Sequence, residues 1–251
     1  MIYILIPVFN ECNNIPNLFK EVNSILPEHE KLFVFTDDGS TDNTIEIIED
    51  EFKNVPFKIL SDGKNRGPGG AFNIGFEWIL LNTKSNEDIV ITMEADCTCD
   101  ITLVPKMIAI NKIGFNLILA SVYAQGGGFD GTTIFRKLIS SIANLAFRYL
   151  LNIKVLTLSS FYRLYSIELL RRIKEHNPSI ISETGFICMV EVLVKAIEQQ
   201  ASIIEIPMTL NSKKRAGNSK MKIFKTSIEY LSFFIKRGLQ RNKKFNNSHG
   251  L

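Results

Sequence analysis

An α/β fold, with a mostly parallel sheet covered by helices on both faces, follows from three features of this 251-residue chain. Short apolar runs alternate with segments of helical periodicity from the N-terminus onward. Most of these runs are continuous in apolarity, as strands buried on both faces require. Polar residues and glycines gather where the runs end, which is the edge at which such sheets bind ligands.

IYILIPVF (2–9) reads as the first strand, closed by Asn10-Glu11, and Asn14-Ile15-Pro16 opens a helical pattern through Ile25 with Leu18, Phe19 and Val22 on one side. KLFVFTDDGS (31–40) is a second strand ending in acids. Asp42 or Asn43 then caps a helix carrying Ile45, Ile48 and Phe52. FKILSDG (57–63) is a third strand, which feeds the glycine-rich NRGPGGAFNIG (65–75) and a helix to about Leu81. DIVITMEAD (88–96) is the fourth strand, followed by a helix over 101–110. FNLILASVY (115–123) is the fifth strand, and GGG (126–128) a flexible or tight loop. A long helical pattern spans Thr132 to Leu151, and VLTLSSFYRLYS (155–166) reads as a strand or sheet edge. Helices over 168–175 and 186–200 precede a last strand, ASIIEIPMTL (201–210). Neither a repeat nor a linker divides the chain, so one domain over 1–251 is expected.

The balance of 45% apolar and 22% charged residues is that of a globular protein. A net charge of +3, from 29 basic and 26 acidic residues, gives no reason to expect nucleic acid as a partner. The basic residues are concentrated, however. Lys213, Lys214, Arg215, Lys220, Lys222 and Lys225 fall in a stretch without acids, which suits a phosphate or a membrane surface. The start lacks a basic segment ahead of its apolar run, and no run approaches about 18 apolar residues, so neither a signal peptide nor a membrane span is expected. Four cysteines without framework spacing point to a reducing, cytoplasmic setting.

Glu94 and Asp96 are separated by one residue at the end of an apolar strand. In extended backbone both would leave the same face and reach one hard cation, Mg²⁺ or Mn²⁺. Cys97 and Cys99 are expected to pack as small hydrophobes, since two thiols do not make a zinc site. Asp37-Asp38 suits hydrogen bonds to a base or ribose, or equally to a turn. The loop with Gly67, Gly69 and Gly70 resembles a phosphate cradle, with Lys64 and Arg66 nearby, or is simply a strand-to-helix connection. Arg136 and Ser140 lie four apart in the long helix and share a face that suits one anion.

In this order the pieces resemble family 2 glycosyltransferases of the GT-A fold, a Rossmann-like three-layer α/β/α architecture, and specifically the dolichyl- or polyprenyl-phosphate sugar synthases. The resemblance spans about residues 2–230 and rests on IPVFNE (6–11), DDGSTDNT (37–44), NRGPGGAFNIG (65–75), EAD (94–96), Glu191, EIPMTL (205–210) and GNSKMK (217–222). It implies a donor half (1–100) in which a nucleotide sugar meets Pro7, Asn10, Glu11, Asp37, Asp38, Lys64, Gly67 and Ala95. A metal at Glu94 and Asp96 would engage the diphosphate. It implies an acceptor half (101–230) in which Arg136 and Ser140 hold an acceptor phosphate, and a basic loop in which Lys214 or Arg215, with Ser219 and Lys220, closes over both substrates. Asp96, Arg136, Ser140 and Lys220 are thereby the expected catalytic residues. An acceptor phosphate would attack the anomeric carbon directly, with inversion, and would need no dedicated base.

Four positions depart from the family pattern. Glu94 opens the metal motif, Val122 stands where an arginine is usual, Thr157 where an acid is usual, and Phe161 where a glycine is usual. The donor half is nearly intact and the acceptor half less so, which leaves three readings: transfer to polyprenyl phosphate, transfer to a saccharide hydroxyl in glycan synthesis, and a nucleotide-sugar-binding protein with weakened catalysis. KIFKTSIEYLSFFIKRGLQRNKK (222–244) reads as an amphipathic basic helix that either lies at the cytoplasmic membrane face or packs on the sheet.

Overall fold

The computed structural model of the chain describes residues 1–26, 29–217, 229–230 and 232–233; between 134 and 151 it describes the side chains of 134, 138, 140–142, 144, 145, 148 and 149. The first half runs β1 (Ile2–Val8), α1 (Ile15–Asn23), β2 (Lys31–Asp37), α2 (Thr44–Glu51), β3 (Phe57–Leu60), α3 (Gly67–Asn82) and β4 (Ile89–Thr92). The second half runs α4 (Val104–Lys112), β5 (Leu117–Ser121), β6 (Gly128–Asp130), α5 (Ile134–Leu151), β7 (Arg163–Ser166), α6 (Ile167–His176), α7 (Cys188–Glu198), β8 (Ile203–Pro207) and β9 (Thr209–Asn211).

Seven strands form one sheet in the order β3-β2-β1-β4-β7-β5-β8. All neighbours are parallel except β7, which is antiparallel to both β4 and β5. The two faces follow from the period of two along each strand. Ile2, Ile4, Ile6 and Val8 of β1 enter a core shared with Leu18 and Val22 of α1, Ile48 of α2 and Met107 of α4. Tyr3 and Leu5 enter the opposite core, with Phe72 and Phe76 of α3, Leu169 of α6 and Val192 of α7. The result is the expected three-layer α/β/α, Rossmann-like arrangement.

Four segments differ from the sequence reading. The run 155–166 contributes only β7. Ahead of it, the fully buried Arg163 donates to the carbonyls of Ser160, Leu158 and Met189, which holds 158–160 as a loop. Gly126, at φ +90°, makes the expected turn, but Gly128 already begins a strand. The run 201–210 breaks at Met208 into β8 and β9, and β9 leaves the main sheet to pair in parallel with β6. β4 stops at Thr92, before the acids.

Among the described residues no helix is long and apolar enough to cross a membrane. Most of the 222–244 segment lies outside the described residues. Those of its residues that are described are helical, and Tyr230 and Phe233 are buried in the core beside α7.

Candidate active site

The carboxyl ends of β1, β2 and β4 lie side by side, so the loops that follow them share one edge of the sheet. After β4 the chain does not stay extended, and the strand alternation expected to aim Glu94 and Asp96 together does not apply. The last ladder contact is Met93 N–H to the Leu5 carbonyl. Asp96 then closes a turn by accepting from Thr98 N at 3.1 Å and Thr98 Oγ1 at 2.7 Å. The turn puts Cys97 at φ +60° and sends it and Cys99 into the core, both 4% exposed, where burial pushes the Cys97 thiol up to about 12. The charges of the two carboxylates still act on each other. Burial first, and then the charge of Asp96, hold Glu94 well above the ordinary carboxylate range.

A basic segment lies across this pair. Arg215 donates from Nε to Asp96 Oδ2 at 2.6 Å, and its Nη2 makes a shorter contact to the same oxygen. Burial pulls the guanidinium's affinity for its proton down, but the charge of Asp96 more than offsets that, so Arg215 stays a cation. Four further contacts strap residues 211–216 down. Asn211 N–H donates to the Thr98 carbonyl at 3.1 Å, Lys213 pairs with Asp130 at 2.8 Å, and Lys214 pairs with Glu21 at 2.6 Å. Asn14 accepts from Ala216 N at 2.8 Å and donates back to the Ala216 carbonyl and to Glu11 Oε2. Asn14 was not singled out from the sequence. It stands at the helix-entry position of α1, yet its side chain makes no cap and is 3% exposed, spent on this tie.

The second group of acids faces the glycine-rich loop. Asp37 accepts from Ser40 N at 3.0 Å and from Ser61 Oγ at 2.7 Å. Asp38 accepts from Arg66 N at 2.6 Å, and Gly67 N–H also points to it; burial nevertheless raises its pKa. Asn10, at φ +52°, a region that Asn tolerates, is tied to the turn after Asp38: its backbone N–H donates to Ser40 Oγ and its side-chain carbonyl accepts from Thr41 N at 2.7 Å. The glycines are required by packing. A side chain at Gly67 or Gly69 would strike the carbonyls of Thr184 or Glu183, and Gly69 N–H donates to the Thr184 carbonyl at 2.9 Å. The 182–184 loop is in turn held by Glu191, which accepts from Ser182 N and Glu183 N and pairs with Lys195 inside the protein.

Pro7 sits in β1 opposite Thr36, Ala95 is buried between the two acids, and Lys64 is exposed. On the acceptor side, Ser140 Oγ shares a 2.7 Å hydrogen bond with Tyr123 OH, which places this face of α5 over the end of β5. Arg136 lies one turn earlier on the same helix; its side chain, and Ser219 and Lys220, lie outside the described residues. Beside Val122, Ser121 Oγ and Thr157 Oγ1 share a buried 2.7 Å hydrogen bond. Glu205 accepts from Leu156 N and Thr157 N and so fixes the same stretch.

The donor set suits a hard divalent cation, because it consists of two adjoining carboxylates, with the nearby thiols turned away. Arg215 already supplies positive charge at the Asp96 oxygen. No cluster of three or more His, Cys, Asp or Glu occurs among the described residues, so a cation held here would need further oxygens from its own substrate or water.

With this geometry in place, the description Glycosyl transferase family 2 matches residues 3–174. The chain belongs to that family. Its curated relatives include a dolichol-phosphate mannosyltransferase of Pyrococcus furiosus, 29% identical over 232 residues, covering 91% of this chain and 61% of the relative. A polyprenol monophosphomannose synthase of Mycolicibacterium smegmatis is 27% identical, with 87% and 80% covered. The chain thus spans about three fifths of the length of the first of these. In solved structures, glucosyl-3-phosphoglycerate synthase from Mycobacterium tuberculosis with phosphoglyceric acid superposes at a TM-score of 0.64, with 17% identity over 94% of this chain and 79% of the other. The same synthase with Mn²⁺, UDP and glucosyl-3-phosphoglycerate gives 0.63, again at 17% identity, over 92% and 76%. At that identity the likeness concerns the fold, and it agrees with the GT-A arrangement described above.

Proposed function

We propose that this family 2 glycosyltransferase moves a hexose, with inversion, from a nucleoside diphosphate sugar to a phosphate-bearing acceptor, and that polyprenyl phosphate is the acceptor it fits best. The observation that carries the reading is the convergence of Glu94, Asp96 and Arg215 at the carboxyl edge of β1 and β4, tied through Asn14 to Glu11.

In this reading the nucleoside lies along the ends of β1 and β2, over Pro7, Asn10, Asp37 and Asp38, with Lys64, Gly67 and Ala95 lining the donor. Glu94 and Asp96 hold Mg²⁺ or Mn²⁺, which when bound neutralises charge on the leaving diphosphate. Arg215, released from Asp96, adds a second positive charge there. Arg136 and Ser140 of α5, with Ser219 and Lys220, orient the acceptor phosphate. That phosphate is already an anion, so the protein's contribution is alignment and charge stabilisation rather than proton removal. Residues 1–251 act as one unit, with the donor half over 1–100 and the acceptor half over 101–230. The names of the curated relatives, which refer to dolichol phosphate and polyprenol, support the lipid acceptor. The Mn²⁺ held by the solved relative supports the metal.

A second reading, transfer to a saccharide hydroxyl, is favoured by one feature: Val122 stands where a phosphate-binding arginine was expected, while the Glu205 carboxylate lies close by on Leu156 N and Thr157 N. A labelled-hexose screen pairing GDP- and UDP-sugars with undecaprenyl phosphate, a phosphorylated small molecule and a saccharide separates the readings. Label in the lipid fraction is expected. Label on the saccharide alone would favour the hydroxyl acceptor, and tight nucleotide binding without transfer or donor hydrolysis would favour a binding protein.

A further inference from the structure

Between α6 and α7 the backbone of residues 179–184 is irregular, yet each residue commits a polar group to a fixed partner. The carbonyls of Ser179 and Ile180 both accept from Lys195 Nζ at 3.0 Å. Ile181 N–H donates to Asn73 Oδ1 of α3 at 2.9 Å. The amides of Ser182 and Glu183 donate to the Glu191 carboxylate at 3.0 and 2.8 Å. The carbonyl of Thr184 accepts from Gly69 N–H, in the first turn of α3.

The two charges sit one turn apart on α7 and 2.7 Å from each other, with Glu191 4% and Lys195 5% exposed. Such a pair is costly to desolvate, and an apolar pair of similar volume often holds a helix as well. An apolar pair could not satisfy four backbone groups of an irregular segment. The sign of each charge also orders the segment, carbonyls toward the ammonium and amides toward the carboxylate.

The segment ends against the glycine-rich loop. The Thr184 and Glu183 carbonyls approach Gly67 and Gly69 so closely that no side chain fits there. Directly before that turn, Arg66 N–H, with Gly67 N–H, meets the Asp38 carboxylate. A continuous line of hydrogen bonds and close packing therefore runs from Glu191 to Asp38, through backbone at every step between them. Closely packed contacts of this kind transmit a shift rather than absorb it.

We infer that the buried Glu191–Lys195 pair is a positioning device, which fixes the first turn of α3 and through it the Asp38 edge on which the donor nucleotide lies. Both residues act through backbone rather than on the substrate. Only the last step, nucleotide placement, rests on the donor reading proposed above.

The test compares wild type with Glu191→Gln, Asn73→Ala and Val192→Ala, the last a truncation in the same core on the same helix. Amide hydrogen exchange over 65–71 without ligand, taken relative to the amides of β1, reads the first turn of α3. Glu191→Gln is expected to raise that ratio about tenfold and Asn73→Ala severalfold, the second variant serving where the first does not fold. Val192→Ala should lower the melting temperature and leave the ratio unchanged. Calorimetric titration with GDP and with UDP, each with Mn²⁺, reads nucleotide placement. Glu191→Gln and Asn73→Ala should weaken binding by about fivefold, and should raise the donor KM in transfer assays with little change in kcat. Exchange and affinity equal to wild type in both variants would overturn the inference. Equal losses in Val192→Ala would overturn it as well, by reducing the pair to a contribution to stability. A wild type that binds neither GDP nor UDP would refute the donor reading instead, while the exchange ratio still decides whether the pair fixes α3.

Discussion

Asp96 carries the site because each of its oxygens has a separate task. Oδ1 shapes the turn through Thr98, and Oδ2 meets the guanidinium of Arg215. Asp96→Asn keeps an oxygen for the turn and removes the charge. It is expected to lower turnover by about 10²-fold or more with little change in melting temperature, the scale of removing charge stabilisation from a transition state. Glu94→Asp preserves the carboxylate and should retain most activity. On the proposed reading Arg215 and a divalent cation would compete for the same oxygen, which makes a prediction independent of turnover. Arg215→Gln should bind Mn²⁺ alone several-fold more tightly, read from the free-ion signal in electron paramagnetic resonance, and should bind nucleoside diphosphate less tightly. Weaker Mn²⁺ binding by this variant would contradict the competition. The acids themselves were legible from their order along the chain. The Arg215–Asp96 and Asn14–Ala216 contacts were not, since each joins residues far apart in sequence, 119 and 202 positions respectively.

At the scale of elements, the first four strands follow from their apolar runs, because continuous hydrophobicity demands burial on both faces. The misread elements are those decided by distant partners. β7 is short because Arg163 finds its hydrogen bonds in loop carbonyls, and β9 departs from the main sheet to pair with β6. The glycine-rich loop is a similar case. Its glycines suggest a cradle, but Gly69 is dictated by how closely α3 approaches the 183–184 backbone. Gly69→Ala should therefore cost about 1–3 kcal/mol, as overpacking does, measured by denaturant unfolding. Gly128→Ala, which meets no neighbour, should be nearly neutral. Glu191→Gln removes the charge facing the buried Lys195 and should cost about 3–5 kcal/mol, the typical cost of breaking a buried pair. A neutral result would mean that the Ser179 and Ile180 carbonyls suffice for that ammonium.

Across the whole molecule, two cores hold a sheet whose carboxyl edge gathers Asn10, Asp37, Asp38, Glu94 and Asp96, while Ser140 of α5 bonds Tyr123 just past the end of β5. The strap over 211–216 reaches Asn14, Glu21 and Asp96 in the first hundred residues, so in the proposed reaction one element would lie against both substrates. The central claim is that this edge, through Asp96, drives sugar transfer to a phosphate. It is tested most directly by single-turnover transfer of labelled hexose from a nucleoside diphosphate sugar to polyprenyl phosphate with Mn²⁺, comparing wild type with Asp96→Asn. The account predicts a phosphate-linked product from the wild type and a rate at least about 10²-fold lower from the variant. Equal rates from the two proteins would contradict it.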